Sequence, residues 1–290
     1  MIRTQLFHQP FHGGPMRTML SSFLSRCWLI LVLSCLLAGF GPVAQARMVA
    51  RPVSWDFEHT RFDSVIVYDD AVTTKRPGLL MVPAWFGVND NAIHKAEQIA
   101  GQSYVILLTD MYGAGIRPRN TAQARAAVGP LLVDRALMRR RVNFALQQFR
   151  AQVDTAPLDP SRLAAIGFCF GGAAVLDLAR SGAAIAAAVS FHGNLSTDNP
   201  ALAKQIHAHV LAMNGADDEA TAPDFGSFMQ EMRQSPAPWQ FLVIGHAVHC
   251  FTETEATATT GQCRYDPQAT AQSYALMDQW LATSFEKGDR

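Results

Sequence analysis

Residues 163–172, LAAIGFCFGG, restrict the possible folds of this chain more than any other segment. An apolar run of strand length enters Gly167-Phe168-Cys169-Phe170-Gly171-Gly172, and a helical pattern follows over 171–180. The spacing predicts a strand, a very tight turn and a helix. Small residues on either side of the turn let strand and helix approach, and the central side chain is left standing above the strand end. The helix N-terminus aimed at that sulfur favours a thiolate. The Phe170 N–H is placed to donate to an oxyanion. Cysteine is also a common core residue, and it is the strand-to-helix context that raises Cys169 above that reading.

The remainder of the chain repeats the strand–helix alternation. Apolar runs at 78–84 (GLLMVPA), 104–109 (YVILLT), 185–191, 209–213 and 239–244 read as buried strands. Helical patterns fall at 91–100, 133–153, 223–234 and 267–285. Buried strands alternating with helices imply parallel units covered on both faces. Patchy alternation over 53–68 suggests an antiparallel edge hairpin. The expected architecture is one α/β domain with a doubly wound, mostly parallel sheet.

Residues 1–46 stand apart from that domain. They carry Arg3, Arg17 and Arg26, no acidic residue, an apolar run from Trp28 to about Phe40, and Ala44-Gln45-Ala46. A basic start, a short apolar stretch and a small-x-small site read as a signal peptide, and the apolar run is short of the roughly 20 residues a spanning helix needs. The expectation is a 1–46 signal peptide, a 47–290 single domain, and a periplasmic or secreted location with no membrane partner after signal removal. Without the leader's three arginines the 24 basic residues become 21 against 24 acidic ones, a formal charge of −3. No basic patch invites nucleic acid. Cys169, Cys250 and Cys263 remain, an odd number, so an exported chain keeps at least one unpaired thiol. Cys250 and Cys263 are spaced for a bridge, which leaves Cys169 free.

A nucleophile at a strand-to-helix turn needs an acid and a base, which follow it in the order acid, then His. After the 209–213 strand comes Asn214-Gly215-Ala216-Asp217-Asp218, where Asp218 is preferred as the acid and Asp217 is the alternative; Asn, Gly and Asp are also ordinary turn residues. After the 239–244 strand come His246 and His249, either of which is available as base. No His/Cys/Asp set has metal-ligand spacing, and no glycine loop is followed by Lys, so no metal and no cofactor is expected.

Together, Phe86-Gly87-Val88-Asn89, Asp110-Met111-Tyr112-Gly113, Gly167-Phe168-Cys169-Phe170-Gly171-Gly172, Gly215-x-x-Asp218 and His249-x-Phe251-Thr252 resemble the dienelactone hydrolase family over about residues 55–285. The resemblance implies a sheet of the α/β-hydrolase type and a Cys169–Asp218–His249 triad, with His246 left at the rim. It also implies an oxyanion hole from the Trp85 and Phe170 N–H groups. The implied activity is hydrolysis of a small-molecule ester or lactone through a thioester, in a pocket containing Phe86, Met111, His192 and Phe251. A non-catalytic, hydrolase-like binding protein is the competing expectation. Two positions depart from the family. Ala84 stands where a Glu controls thiol protonation, and Glu253 stands where an Arg holds a substrate carboxylate. An acidic Glu253 at the mouth of the site is expected to repel an anionic substrate. Without the Glu, Cys169 and His249 are expected to rest as a thiolate–imidazolium pair.

Overall fold

The structure, a computed structural model, describes residues 47–287; the leader expected at 1–46 lies outside the described residues. The described chain opens with an antiparallel hairpin, β1 (Met48–Phe57) and β2 (Thr60–Asp69). Its two-residue turn, Glu58 and His59, has φ of 46° and 63°, the left-handed pair that a tight hairpin turn requires. Six further strands follow: β3 (Arg76–Val82), β4 (Val105–Leu108), β5 (Leu158–Phe168), β6 (Ala187–Phe191), β7 (His209–Gly215) and β8 (Trp239–Ile244). The sheet order is β1-β2-β4-β3-β5-β6-β7-β8; β3 to β8 run parallel, and β2 meets β4 antiparallel. The expected edge hairpin and doubly wound sheet are both present.

Alternate residues of each central strand face opposite layers. Leu80, Val82, Leu107 and Ala165 pack with α2 (Thr121–Val133), α3 (Arg135–Arg150), α4 (Phe170–Arg180) and α5 (Phe225–Met232), through Leu131, Met138, Phe149, Val175 and Phe228. Leu79, Met81, Ile106 and Ile166 pack with α1 (Asp90–Ala100) and α6 (Pro267–Lys287), through Ala96, Ala100, Met277 and Leu281. Each fully buried Leu, Phe or Met contributes roughly 1.5–3 kcal/mol, so both faces of the sheet anchor the loops at its carboxyl end.

One helix differs from the sequence expectation. The pattern over 133–153 corresponds to α3 alone, and a separate helix precedes it: α2 ends at Val133, and Asp134 (φ −101°, ψ 84°) breaks the path and caps α3 by accepting the Leu137 N–H at 2.8 Å. Gly129 and Pro130 inside α2 read as breakers, which hid that helix; its start is fixed by Asn120, which accepts the Gln123 N–H. Helix α4, which directly follows the nucleophile candidate, is buried along its whole length. Its Asp177 accepts from Arg135, Arg139 and Arg180, and Arg180 also donates to Glu231. A buried carboxylate is tolerable only with such partners, and these tie α4 to α3 and α5.

Candidate active site

Cys169 lies between β5 and α4, with φ 52° and ψ −115°. A non-glycine residue in that region is strained, and its surroundings leave no other path. Its N–H donates to Phe191 O at 3.0 Å. A Cβ on Gly171 would lie 2.0 Å from Val82 O, and one on Gly167 would lie 2.1 Å from Gly171 O. On Gly172 it would meet Ser190 Oγ at 2.5 Å. The glycines of the motif are therefore required by contact between β3, β5, β6 and α4.

Two loops bring partners to the sulfur. The turn after β7 holds Asp218, fully buried, whose Oδ2 accepts from Thr221 Oγ1 and whose Oδ1 accepts the Ala220 N–H. The loop after β8 holds His249, with Nδ1 2.8 Å from Asp218 Oδ2 and Nε2 3.1 Å from Cys169 Sγ. An ionised carboxylate only accepts, so Nδ1 carries the proton given to Asp218 and Nε2 faces the thiol. Asp217 and His246 are instead exposed and 3.9 Å apart, at the surface. Burial pushes the Cys169 thiol up, but the imidazoles of His192 and His249 outweigh it and bring it down from 9.0 to about 6. Burial pulls His249 down, yet Asp218 and Cys169 raise it to about 10. A thiolate–imidazolium pair is the arrangement these directions favour. Burial raises Asp218, but its bond to His249 and the other donors leave it below the ordinary carboxylate value.

The N–H groups of Trp85 and Phe170 have no acceptor among the described residues. Phe170 is the first residue of α4, where N–H groups lack an intrahelical partner. Ala84 O accepts from Gly87 N at 2.8 Å, which turns the Trp85 N–H of the same trans peptide to the other side. Tyr112 is a bracing residue that the sequence reading quoted in a motif without giving it a role. Its hydroxyl donates to Trp85 O at 2.8 Å, and its ring stacks on Phe170 at 5.7 Å. Asp110 holds that loop by accepting from the N–H groups of Asp63, Tyr112 and Gly113 and from Arg117.

The pocket residues expected from sequence divide. Phe86 and Ala84 line a small cavity with Lys95, Phe168, Glu253 and Glu255. Met111 and Phe251 are buried: Met111 packs in the layer under α2–α5, and Phe251 lies against Ile244, Ala247 and Ala269. His192 is fully buried, 5.2 Å from the His249 ring between centroids. Glu253 is not a free charge at the mouth. It is buried and bonded to Lys95 Nζ at 2.7 Å. Burial raises it, but His192 and Lys95 hold it at about 2. Cys250 and Cys263 form a disulfide directly after His249, and Cys169 is the free cysteine among the described residues. Among those residues no group of three or more His, Cys, Asp or Glu is arranged to hold a metal ion.

The sequence model of the Dienelactone hydrolase family matches residues 62–285. A "Probable 2-oxo-3-(5-oxofuran-2-ylidene)propanoate lactonase" of Bradyrhizobium is 26% identical over 192 residues, 63% of this chain and 76% of that protein. Among solved structures, a dienelactone hydrolase-like promiscuous phosphotriesterase from metagenomic libraries is 35% identical, with a TM-score of 0.76, covering 82% of this chain and 99% of the other. An esterase of the fungus Rhizomucor miehei shares the fold, with a TM-score of 0.62 at 11% identity, over 95% of this chain and 94% of the other.

Proposed function

The chain belongs to the dienelactone hydrolase family, whose members hydrolyse ester and lactone bonds, and we propose that it does so after export, with Cys169 as nucleophile, His249 as base and Asp218 as the orienting acid. The observation that carries this reading is the continuous line Cys169 Sγ–His249 Nε2, His249 Nδ1–Asp218 Oδ2, at 3.1 and 2.8 Å. In the first step the thiolate attacks the carbonyl carbon and the carbonyl electron pair moves onto oxygen, where the Trp85 and Phe170 N–H groups receive it. Collapse breaks the C–O bond, and the imidazolium proton at His249 Nε2 goes to the departing alkoxide. A thioester remains. Water then gives a proton to His249 Nε2 as its oxygen bonds to the carbonyl carbon; the C–S bond breaks, the electron pair returns to sulfur, and the acid leaves.

Export is supported by the leader sequence at 1–46 and by the Cys250–Cys263 bridge, since such bonds persist in oxidising compartments. The Lys95–Glu253 pair favours uncharged esters and lactones over a substrate that needs a free arginine, because both charges of the pair are already satisfied. Hydrolysis of a chromogenic short-chain ester and of a lactone panel by wild type and Cys169→Ala tests the reading. Turnover is expected to vanish in the variant, and undiminished turnover would overturn the assignment. A wild type that binds these compounds without turnover would instead identify a hydrolase-like binding protein.

A further inference from the structure

We propose that Tyr112 is the positioning residue of the oxyanion hole, and that the edge hairpin β1–β2 sets Tyr112 in place through Asp110. This rests on Cys169 being the nucleophile and on the Trp85 and Phe170 N–H groups receiving the oxyanion.

The two donors have different supports. The Phe170 N–H belongs to the strand-to-helix turn, where the glycine contacts with β3, β5 and β6 fix the backbone. The Trp85 N–H belongs to an irregular segment between β3 and α1. There the bond from Gly87 N to Ala84 O closes a local turn at 2.8 Å. That bond fixes the shape of the turn, but not its place relative to Phe170. Contacts that leave the segment must set the place, and Tyr112 supplies them. Its hydroxyl donates to Trp85 O at 2.8 Å. Its ring lies on Gly87, where a Cβ would come within 3.0 Å of Cε2. The same ring stacks on Phe170, 5.7 Å between centroids. One buried side chain therefore touches the carriers of both donors.

Tyr112 is in turn held from the hairpin. Its N–H donates to Asp110 Oδ1 at 2.9 Å. Asp110 is buried and faces β2: the Asp63 N–H donates to its Oδ2 at 3.2 Å, and its own N–H donates to Ser64 Oγ at 2.8 Å. Two residues on, the Ala114 N–H donates to Arg61 O at 2.6 Å, and a Cβ on Gly113 would meet Thr60 Cγ2 at 2.9 Å. On the other side, Arg141 donates to Met111 O at 2.8 Å. Leaving such buried groups unpaired costs more than pairing them gains, so the 110–114 loop has one seat on the hairpin. Burial pushes the Tyr112 phenol up, and the charges of Cys169 and Asp110 add to that, so the proton given to Trp85 O stays on the hydroxyl.

The chemistry supplies a way to isolate this role. When the thiolate attacks an ester, the carbonyl electron pair moves onto oxygen and needs both donors in place beforehand. When the same thiolate attacks iodoacetamide, a C–S bond forms, the C–I bond breaks and iodide leaves with the electron pair. No oxyanion develops. A residue that positions the hole changes the first rate and leaves the second alone.

The test compares those two rates in the full chain. Acylation is read as kcat/KM for a chromogenic short-chain ester, and alkylation as modification of the Cys169 peptide by mass spectrometry. Tyr112→Phe keeps the ring on Phe170 and Gly87 and removes the bond to Trp85 O. Acylation should fall by about tenfold, mainly in kcat, with alkylation within about twofold of wild type; loss of a donor itself costs roughly 10²-fold or more. Ser64→Ala, which takes the acceptor from the Asp110 N–H at the hairpin, should shift acylation the same way by less. Acylation that stays at the wild-type rate in Tyr112→Phe overturns the proposal. So does alkylation that falls in parallel with acylation, because the tyrosine would then act on the sulfur or on the fold. If Tyr112→Phe does not fold, Ser64→Ala decides by the same two rates, and unchanged acylation overturns the proposal there too. Turnover that survives Cys169→Ala would defeat the nucleophile assignment itself, a separate outcome.

Discussion

The turn that carries Cys169 and the loop that carries His249 meet at 3.1 Å but are held by different means. The nucleophile turn is fixed by the fold. Its glycines are in contact with β3, β5 and β6, and its helix is buried from Phe170 to Arg180. The base loop, residues 245–266, contains no helix and no named strand. It is fixed by discrete ties: the Cys250–Cys263 disulfide, Arg264 N to His249 O at 3.1 Å, Asp266 N to Phe251 O at 3.0 Å, and Gly215, where a Cβ would meet Ala247 O at 2.2 Å. The sulfur cannot move without damage to the sheet, whereas the base can be lost while the sheet stands.

The largest effect is expected where the base is oriented. Asp218→Asn offers His249 Nδ1 an amide that can donate, so the imidazole can take the wrong tautomer. Turnover should fall by about 10⁴-fold with the fold intact. A fall of less than tenfold would mean that something other than Asp218 orients His249. On the nucleophile side, Gly171→Ala forces a methyl into Val82 O and should cost about 3 kcal/mol of stability. Chemical denaturation measures it, and an unchanged midpoint would show that the turn has slack the contacts do not suggest. Opening the disulfide with a reductant, which leaves Cys169 free, should release about 3 kcal/mol of loop constraint. Because that release falls on the base loop, kcat should drop while far-ultraviolet circular dichroism holds. Unchanged kcat after verified reduction would shift the credit to the backbone ties.

This difference also governs what could be read from sequence. The nucleophile turn was legible because its requirements are contiguous: an apolar run, glycines at fixed offsets, and a helical pattern. The edge hairpin and the alternation of buried strands with helices followed from periodicity. Helix α2 was hidden because Gly129 and Pro130 carry breaker signals that the buried Val128 and Leu131 override. The Lys95–Glu253 ion pair was not legible, since it joins α1 to the base loop. Glu253 looked like a charge at an entrance because its partner lies far earlier in the chain.

A smaller effect separates the two sides by pH. The thiol is depressed to about 6, so the thiolate is present above that value and is lost as pH falls through it. His249 is raised to about 10, so its proton is present below that value and is lost as pH rises through it. Turnover should therefore plateau between them and be about tenfold lower one unit below the acid limb. An acid limb near the ordinary thiol value would show that His249 does not hold the sulfur as its 3.1 Å contact implies.

The smallest effect is expected next door to the largest. Asp217 precedes Asp218 in sequence, yet its side chain is exposed and 3.9 Å from a fully exposed His246. Surface pairs of this kind contribute little, so Asp217→Asn and His246→Ala should each leave stability within about 0.5 kcal/mol and turnover unchanged. The pair serves as an internal control on the base loop, because the same turn and the same loop carry the silent residues and the proposed catalytic ones. If Asp217→Asn reduced turnover as strongly as Asp218→Asn, the sensitive property would be the charge of the turn as a whole. A difference confined to Asp218 would instead assign it to one oxygen and one nitrogen held 2.8 Å apart.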